Sequence, residues 1–282
     1  MRTISDPNSS PFKNRSWNRS WLLISQSFNV LKQDKKLLVF PAASAVSVLC
    51  VALSFLFPLI EDGSVARYLE NGHVEAQTVL WLFLWYYFHY FVILFFNSAL
   101  VACANMRLAG EKPSLRIGML AAMDRLFPIS MWTLVASTIG VALRLLENRS
   151  AKLSATLAAL VGGAWTIGTY FVGPILMFEE NSVFPALKRS FEMTRRTWGA
   201  QLSRTLGFGI FTFLFAIPGL VLFAGGVFLS PALMLPALLY GLLLSVVLSA
   251  AQTVFTVALY RFAVIGEPPA GFTREAMDVT LA

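Results

Sequence analysis

The sequence predicts an all-α, polytopic membrane protein with six transmembrane helices and amphipathic interfacial elbow helices on the cytoplasmic side. Three observations carry this expectation. Of 282 residues, 57% are hydrophobic and only 13% are charged, which does not fit a soluble chain. Runs free of Asp, Glu, Lys and Arg cover residues 37–60, 76–106, 126–143, 153–178 and 205–260. A hydrocarbon core ~30 Å thick takes about 20 helical residues, so the first four runs hold one span each and the last holds two. Finally, the 22 cations divide eighteen to four between alternate flanks, which the positive-inside rule reads as both termini in the cytoplasm of a multi-pass inner-membrane protein.

Residues 1–36 form a cytoplasmic N-terminal segment with an amphipathic helix. They are polar and basic and hold no cleavable signal sequence, so the first span is an uncleaved anchor. Residues 37–264 form the membrane domain, with spans at about 37–60, 78–104, 126–143, 155–178, 205–229 and 234–260, and residues 265–282 form a cytoplasmic tail. Cys50 and Cys103 sit at different depths in the first hairpin, too far apart for a disulfide, and read as small packing residues. The net charge of +7 reflects topology and attraction to anionic headgroups on the cytoplasmic face, not nucleic acid.

Between the fourth and fifth spans lies "ALKRSFEMTRRTWGAQL", with Leu187, Phe191, Thr194 and Trp198 on one helical face and Lys188, Arg189, Arg195 and Arg196 mostly on the other. Ser182 as N-cap, Pro185 in the first turn and Gly199 after the last periodic residue delimit a helix lying in the headgroup plane. Its candidate anchor is Leu187, Lys188, Arg189, Phe191, Arg195, Arg196 and Trp198. Trp17, Trp21, Ile24, Phe28 and Leu31 repeat the pattern before the first span, and "PSLRIGMLAAMDRLF" repeats it more weakly, with Ser114 as cap. Ser27–Phe28 and Ser190–Phe191 open similar motifs. These segments read either as a threefold repeat or as the basic, amphipathic flanks common to polytopic proteins.

The blocks "VLKQDKKLLVFP", "FFNSALVACANMRLAGEKPSL" and "PILMFEENSVFPALKRSFEMTRRTWG" resemble an uncharacterised bacterial and archaeal six-helix integral-membrane family, a domain of unknown function, over residues 17–265. The last block is similar, more loosely, to the membrane domain of glycerophosphoryl diester phosphodiesterases. The resemblance implies six helices with interfacial elbows and brings no catalytic residues.

Polar groups at membrane depth are the remaining candidates. Tyr86, His89, Tyr90 and Asn97 form a band along the second span, which fits a lined cavity or, as the plainer alternative, interhelical hydrogen bonding. Asn105 and Gln252 read likewise. Pro174 and Pro218 should kink the fourth and fifth spans and free carbonyls there. Glu179 and Glu180 read as acids at the N-terminus of the helix that follows, not as a catalytic pair. No metal-ligand spacing, phosphate loop or nucleophile elbow occurs, so no cofactor, metal or enzymatic activity is expected. The leading functional expectation is a module that organises membrane lipid or partner proteins, as a homo-oligomer or with a protein partner. The alternative is a permease for lipids or small hydrophobic molecules using the Tyr86–Asn97 face.

The topology has a direct test. A cysteine placed at Gly72 should react with impermeant maleimide in intact cells and one at Ser9 should not, whereas the reverse pattern would invert the orientation.

Overall fold

A hydrocarbon solvent offers no hydrogen bonds, so each apolar run must satisfy its own backbone, and helices do so. The computed structural model describes residues 11–61, 76–148, 153–179, 182–196 and 198–277, and among these there is no strand. Helix α1 (Pro11–Gln33) passes through a 3-10 turn (Lys35–Leu38) into α2 (Val39–Glu61), against which α3 (Ala76–Leu108) packs. Next come α4 (Leu115–Asp124) and α5 (Leu126–Asn148), then α6 (Leu153–Gly168) and α7 (Val172–Phe178). The chain continues through α8 (Val183–Arg196), α9 (Trp198–Phe228), α10 (Met234–Ile265) and a final turn, α11 (Arg274–Met277). Among the described residues, five segments are long and apolar enough to cross a membrane: Lys35–Pro58, Phe83–Leu108, Val161–Phe178, Phe208–Phe228 and Pro231–Ile265. A sixth is added if α4 and α5, bent by 68°, count as one.

The fourth expected span is not continuous. Pro174 has no N–H for the Tyr170 carbonyl, and its ring crowds that carbonyl, so the helix breaks one turn earlier, between Gly168 and Val172. A broken helix leaves orphan carbonyls and N–H groups. Two hydroxyls of α8 supply partners: Ser190 Oγ donates to the Gly168 carbonyl at 2.7 Å and accepts from Phe171 N–H at 3.0 Å, and Thr194 Oγ1 donates to the Ile167 carbonyl at 3.2 Å. The Phe191 ring closes over Gly168, where a Cβ would come within 2.2 Å of it. Pro218, by contrast, stays inside α9, and the Tyr240 hydroxyl donates to the Phe215 carbonyl at 2.6 Å, one turn before it.

Helices α1, α4 and α8 each dock on a span that precedes them around the bundle. Helix α4 packs on α3, α8 on α6 and α7, and α1 on α9 and α10, so the first docked helix meets the last hairpin. Each presents a small buried residue, Ser27, Gly118 or Ser190, followed one turn later by buried Leu31, Ala122 or Thr194. At Gly118 a Cβ would lie 2.4 Å from Cys103 Sγ and 2.9 Å from the Ala99 carbonyl oxygen. Ser114 occupies the N-cap position of α4 without a side-chain cap, and its carbonyl accepts from Cys103 Sγ at 3.2 Å. Cys50 is exposed, and both cysteines are free. Left-handed Gly110 and Gly266, with φ near +85° and +80°, let the chain turn after α3 and α10.

The core gathers at this docked end. Fully or nearly buried side chains run over Ala99–Ala104 of α3, Phe171 and α7 as far as Met177, and much of α10 from Val246 to Phe262, with Leu37 in the 3-10 turn and Phe40 at the start of α2. Cross-links between distant segments accumulate there too. Gln26 Nε2 donates to Thr273 Oγ1 at 3.1 Å, Ala270 N–H donates to the Leu108 carbonyl at 3.0 Å, and Arg107 bonds Gln33. Toward the other end, Val46, Leu53 and Phe57 of α2 and Phe213, Leu220 and Phe228 of α9 are exposed, as lipid-facing positions are.

Ser190→Ala should strip partners from two buried backbone groups and cost about 1–3 kcal/mol, while Ser54→Ala, on an exposed hydroxyl bonded within its own helix, should cost little. Thermal unfolding of the purified protein in detergent measures both, and equal stability would contradict the bridging role of Ser190.

Candidate functional site

Where the tight end of the bundle gives way to the exposed end, a cavity of about 510 Å³ opens between α2, α3, α5, the α6–α7 break and α10. That is enough for a small molecule or a lipid headgroup. Apolar walls come from Pro41, Val48, Leu94, Val101 and Val246, and Pro174 lies on its surface. The polar lining is Ser44, Tyr90, Asn97, Thr169, Tyr170, Ser245, Ser249, Gln252, Thr253 and Thr256, with the Trp132 indole beside them. Among the described residues, none that lines the cavity is Asp, Glu, Lys, Arg or His.

Helix α10 supplies the longest polar wall. Ser245, Ser249, Thr253, Thr256 and Tyr260 follow one another at four- or three-residue steps, so one helical face carries hydroxyls over ~22 Å at 1.5 Å per residue. Several are tied to other helices. Thr253 Oγ1 donates to Asn97 Oδ1 at 2.8 Å and Thr256 Oγ1 to Tyr170 Oη at 2.7 Å. Past the cavity, the Tyr260 hydroxyl donates to Glu179 Oε1 at 3.1 Å, and Arg189 Nε donates to Glu179 Oε2 at 3.2 Å. Arg261 Nη1 donates to Asn105 Oδ1 at 2.7 Å. Residue exposure rises from buried Leu100 and Thr253 to exposed Ile93, Ser245 and Ser249, so the cavity is closed at the docked end and open away from it.

The structure divides the expected polar face of α3. Tyr90 and Asn97 line the cavity. Tyr86 stacks on Tyr90 with ring centres 6.2 Å apart, but its hydroxyl turns to Gly140 of α5, where a Cβ would come within 2.8 Å. His89 is not a cavity residue. Its ring lies 5.7 Å from Trp85, and its Nδ1 is buried with no partner among the described residues. Tyr87, on a different face, bonds Ser130 of α5. The band therefore combines cavity lining and interhelical bonding. Gln252 belongs to the cavity, whereas Asn105 pairs with Arg261.

The candidate anchor is also divided. Val183, Ala186, Ser190, Met193 and Thr194 form the most buried side of α8, which faces protein. Leu187 is half-buried against the core, Phe191 covers Gly168, and Arg189 pairs with Glu179. Lys188 and Arg195 are exposed. Trp198 opens α9 instead of closing α8, and Gly199 lies within that helix, because good helix formers follow it. The side chains of Arg196 and Trp198, like Glu180 as a whole, lie outside the described residues. Glu179 follows α7 and joins it to α8 and α10, which the reading of it as an acid before the next helix did not include.

The stripe on α10 is what the sequence reading missed. Its signal was the four-residue recurrence of Ser, Thr and Tyr inside an otherwise apolar run. Among the described residues, no group of three or more His, Cys, Asp or Glu side chains could hold a metal ion.

Apolar spans with an uncharged polar cavity between them define a multi-pass helical membrane protein. Residues 76–271 match a family of unknown function, DUF6159, and the chain belongs to it. No curated protein matches the chain. The looser similarity to the membrane domain of glycerophosphoryl diester phosphodiesterases is not shown by these comparisons.

Accessibility separates the two faces of α10. With Cys50 and Cys103 replaced by alanine, cysteines at Ser249 and Gln252 should react with a small water-soluble thiol reagent. Cysteines at buried Val254 and Ala258 should not, and uniform protection would mean that the cavity is closed to solutes.

Proposed function

We infer that the protein binds an amphiphilic molecule within the membrane and acts as a non-enzymatic lipid-handling or permease-type protein. The observation that carries this reading is the cavity, which combines amide and hydroxyl groups on α3 and α10 with apolar walls at membrane depth. Polar groups are costly in hydrocarbon unless they meet a partner, so a cavity lined with them fits an occupant with a polar end. Among the described residues, the lining contains no acid, base or cation that could activate a nucleophile or stabilise a developing charge, and this supports a binding role over a catalytic one.

In this reading the docked helices lie at the cytoplasmic face of the inner membrane with both termini, as the distribution of cations favours. Lys188 and Arg195 then face anionic headgroups. The organising role expected from the elbow helices becomes secondary, since the buried side of α8 is occupied by its own bundle.

Native mass spectrometry from lipid nanodiscs tests the binding. Wild-type protein should retain lipid after mild stripping, and Asn97→Leu with Gln252→Leu should lose most of it, while Lys188→Gln with Arg195→Gln keeps it. Equal retention by the cavity variant would overturn the proposal in favour of a surface that organises lipid.

A further inference from the structure

The cavity's chemistry narrows the class of ligand, an inference that rests on the binding role just argued. Asn97 Oδ1 already accepts the Thr253 hydroxyl, which leaves its N–H groups for an occupant. Among the described residues, the Gln252 amide and the Tyr90 hydroxyl line the cavity with no hydrogen-bonding partner in the protein. An amide and a phenol each offer both a donor and an acceptor. They match a head that is itself both, as an alcohol is.

Charged heads fit poorly. A phosphate or carboxylate would give up its hydration where no Lys, Arg or His lines the wall, and an ammonium would do so where no Asp or Glu does. The ionic groups toward the docked end are engaged elsewhere, with Glu179 holding Arg189 and Tyr260, and Arg261 bonded to Asn105. Charge on this molecule is therefore displaced from the cavity along α10, while the cavity keeps only neutral dipoles. We propose that the cavity selects amphiphiles with an uncharged, hydroxyl-bearing head, for which a diacylglycerol is the simplest probe.

The test uses three two-chain probes with identical tails and a photoreactive group beside the head, which is a neutral hydroxyl, an anionic phosphate or a cationic ammonium. Each is irradiated with the full-length protein in nanodiscs, and labelled peptides are mapped. The neutral probe should label segments 90–101 and 245–256 at least about tenfold more than either charged probe, in keeping with the cost of an unpaired charge at membrane depth. The anionic probe should label the flanks of the docked helices instead. Comparable labelling of the cavity by a charged probe would overturn the selectivity while leaving the binding role intact. Absence of cavity labelling by all three would overturn both.

Discussion

The Ser190 hydroxyl, placed between the Gly168 carbonyl and the Phe171 N–H, is the contact on which the rest of the bundle turns. A membrane helix cannot break without partners for the backbone groups it releases. Pro174 forces the break, and α8 supplies the partners. Once Ser190 is fixed there, the orientation of α8 follows: Ala186, Met193 and Thr194 must face α6 and α7, and Arg189 comes to Glu179. The same break lines the cavity, since Thr169, Tyr170, Gly173 and Pro174 all reach it. Local backbone chemistry, helix docking and the site thus share one cause.

Docking of α1, α4 and α8 explains why the core lies at one end. Each docked helix adds buried apolar surface or hydrogen bonds where it meets a span: Ser190 and Thr194 at Ile167, Gly168 and Phe171, Gly118 against Ala99 and Cys103, and Trp21 and Phe28 against Phe211. The spans are packed most tightly near Leu37, Leu100, Ile175 and Val257, and toward the other end they diverge into pairs that keep their own contacts, α2 with α3 through Phe55, Trp81 and Phe88, and α9 with α10 through Tyr240 at Gly219 and Phe215. In water such divergence would expose apolar surface at a large cost. In lipid the exposed Phe213, Leu220 and Leu238 are already in their preferred solvent, so no hydrophobic term closes the gap between the pairs. A space between spans is the consequence, and its polar lining gives it chemical character.

How much of this was legible depended on which physical signal each feature leaves in sequence. Lipid exposure leaves a strong one, and the apolar runs mark the helices directly. The break at Gly168 was half legible: Pro174 predicted a disturbance, but only the structure shows that Ser190, distant along the chain from the break, repairs it. Trp198 was assigned to the wrong helix because Gly199 looked like a stop, a local preference that the following helix overrides. His89 stood out as a rare residue at depth, yet rarity does not report direction, and it lies apart from Asn97 and Tyr90 at the cavity. Ser245, Ser249, Thr253 and Thr256 were individually unremarkable, since single hydroxyls in membrane helices often bond their own backbone, as Ser245 does to Leu242. Their shared face carried the information.

That shared face also shows how the molecule separates charge from polarity. Along α10, hydroxyls and an amide occupy the cavity, and the sequence of side chains then passes through Tyr260 to the Glu179–Arg189 pair and Arg261 at the docked end. An ionic group at mid-depth would need a partner and a full set of hydrogen bonds to offset its desolvation. Hydroxyls make a smaller demand, because a carbonyl one turn back lies within hydrogen-bond reach, at Ser249 3.0 Å from Thr253 Oγ1 and at Gln252 2.8 Å from Thr256 Oγ1. A wall of such groups has acceptors within its own helix and remains able to bond an occupant. The helix can thus present a polar surface inside the membrane without depending on a ligand for its own stability.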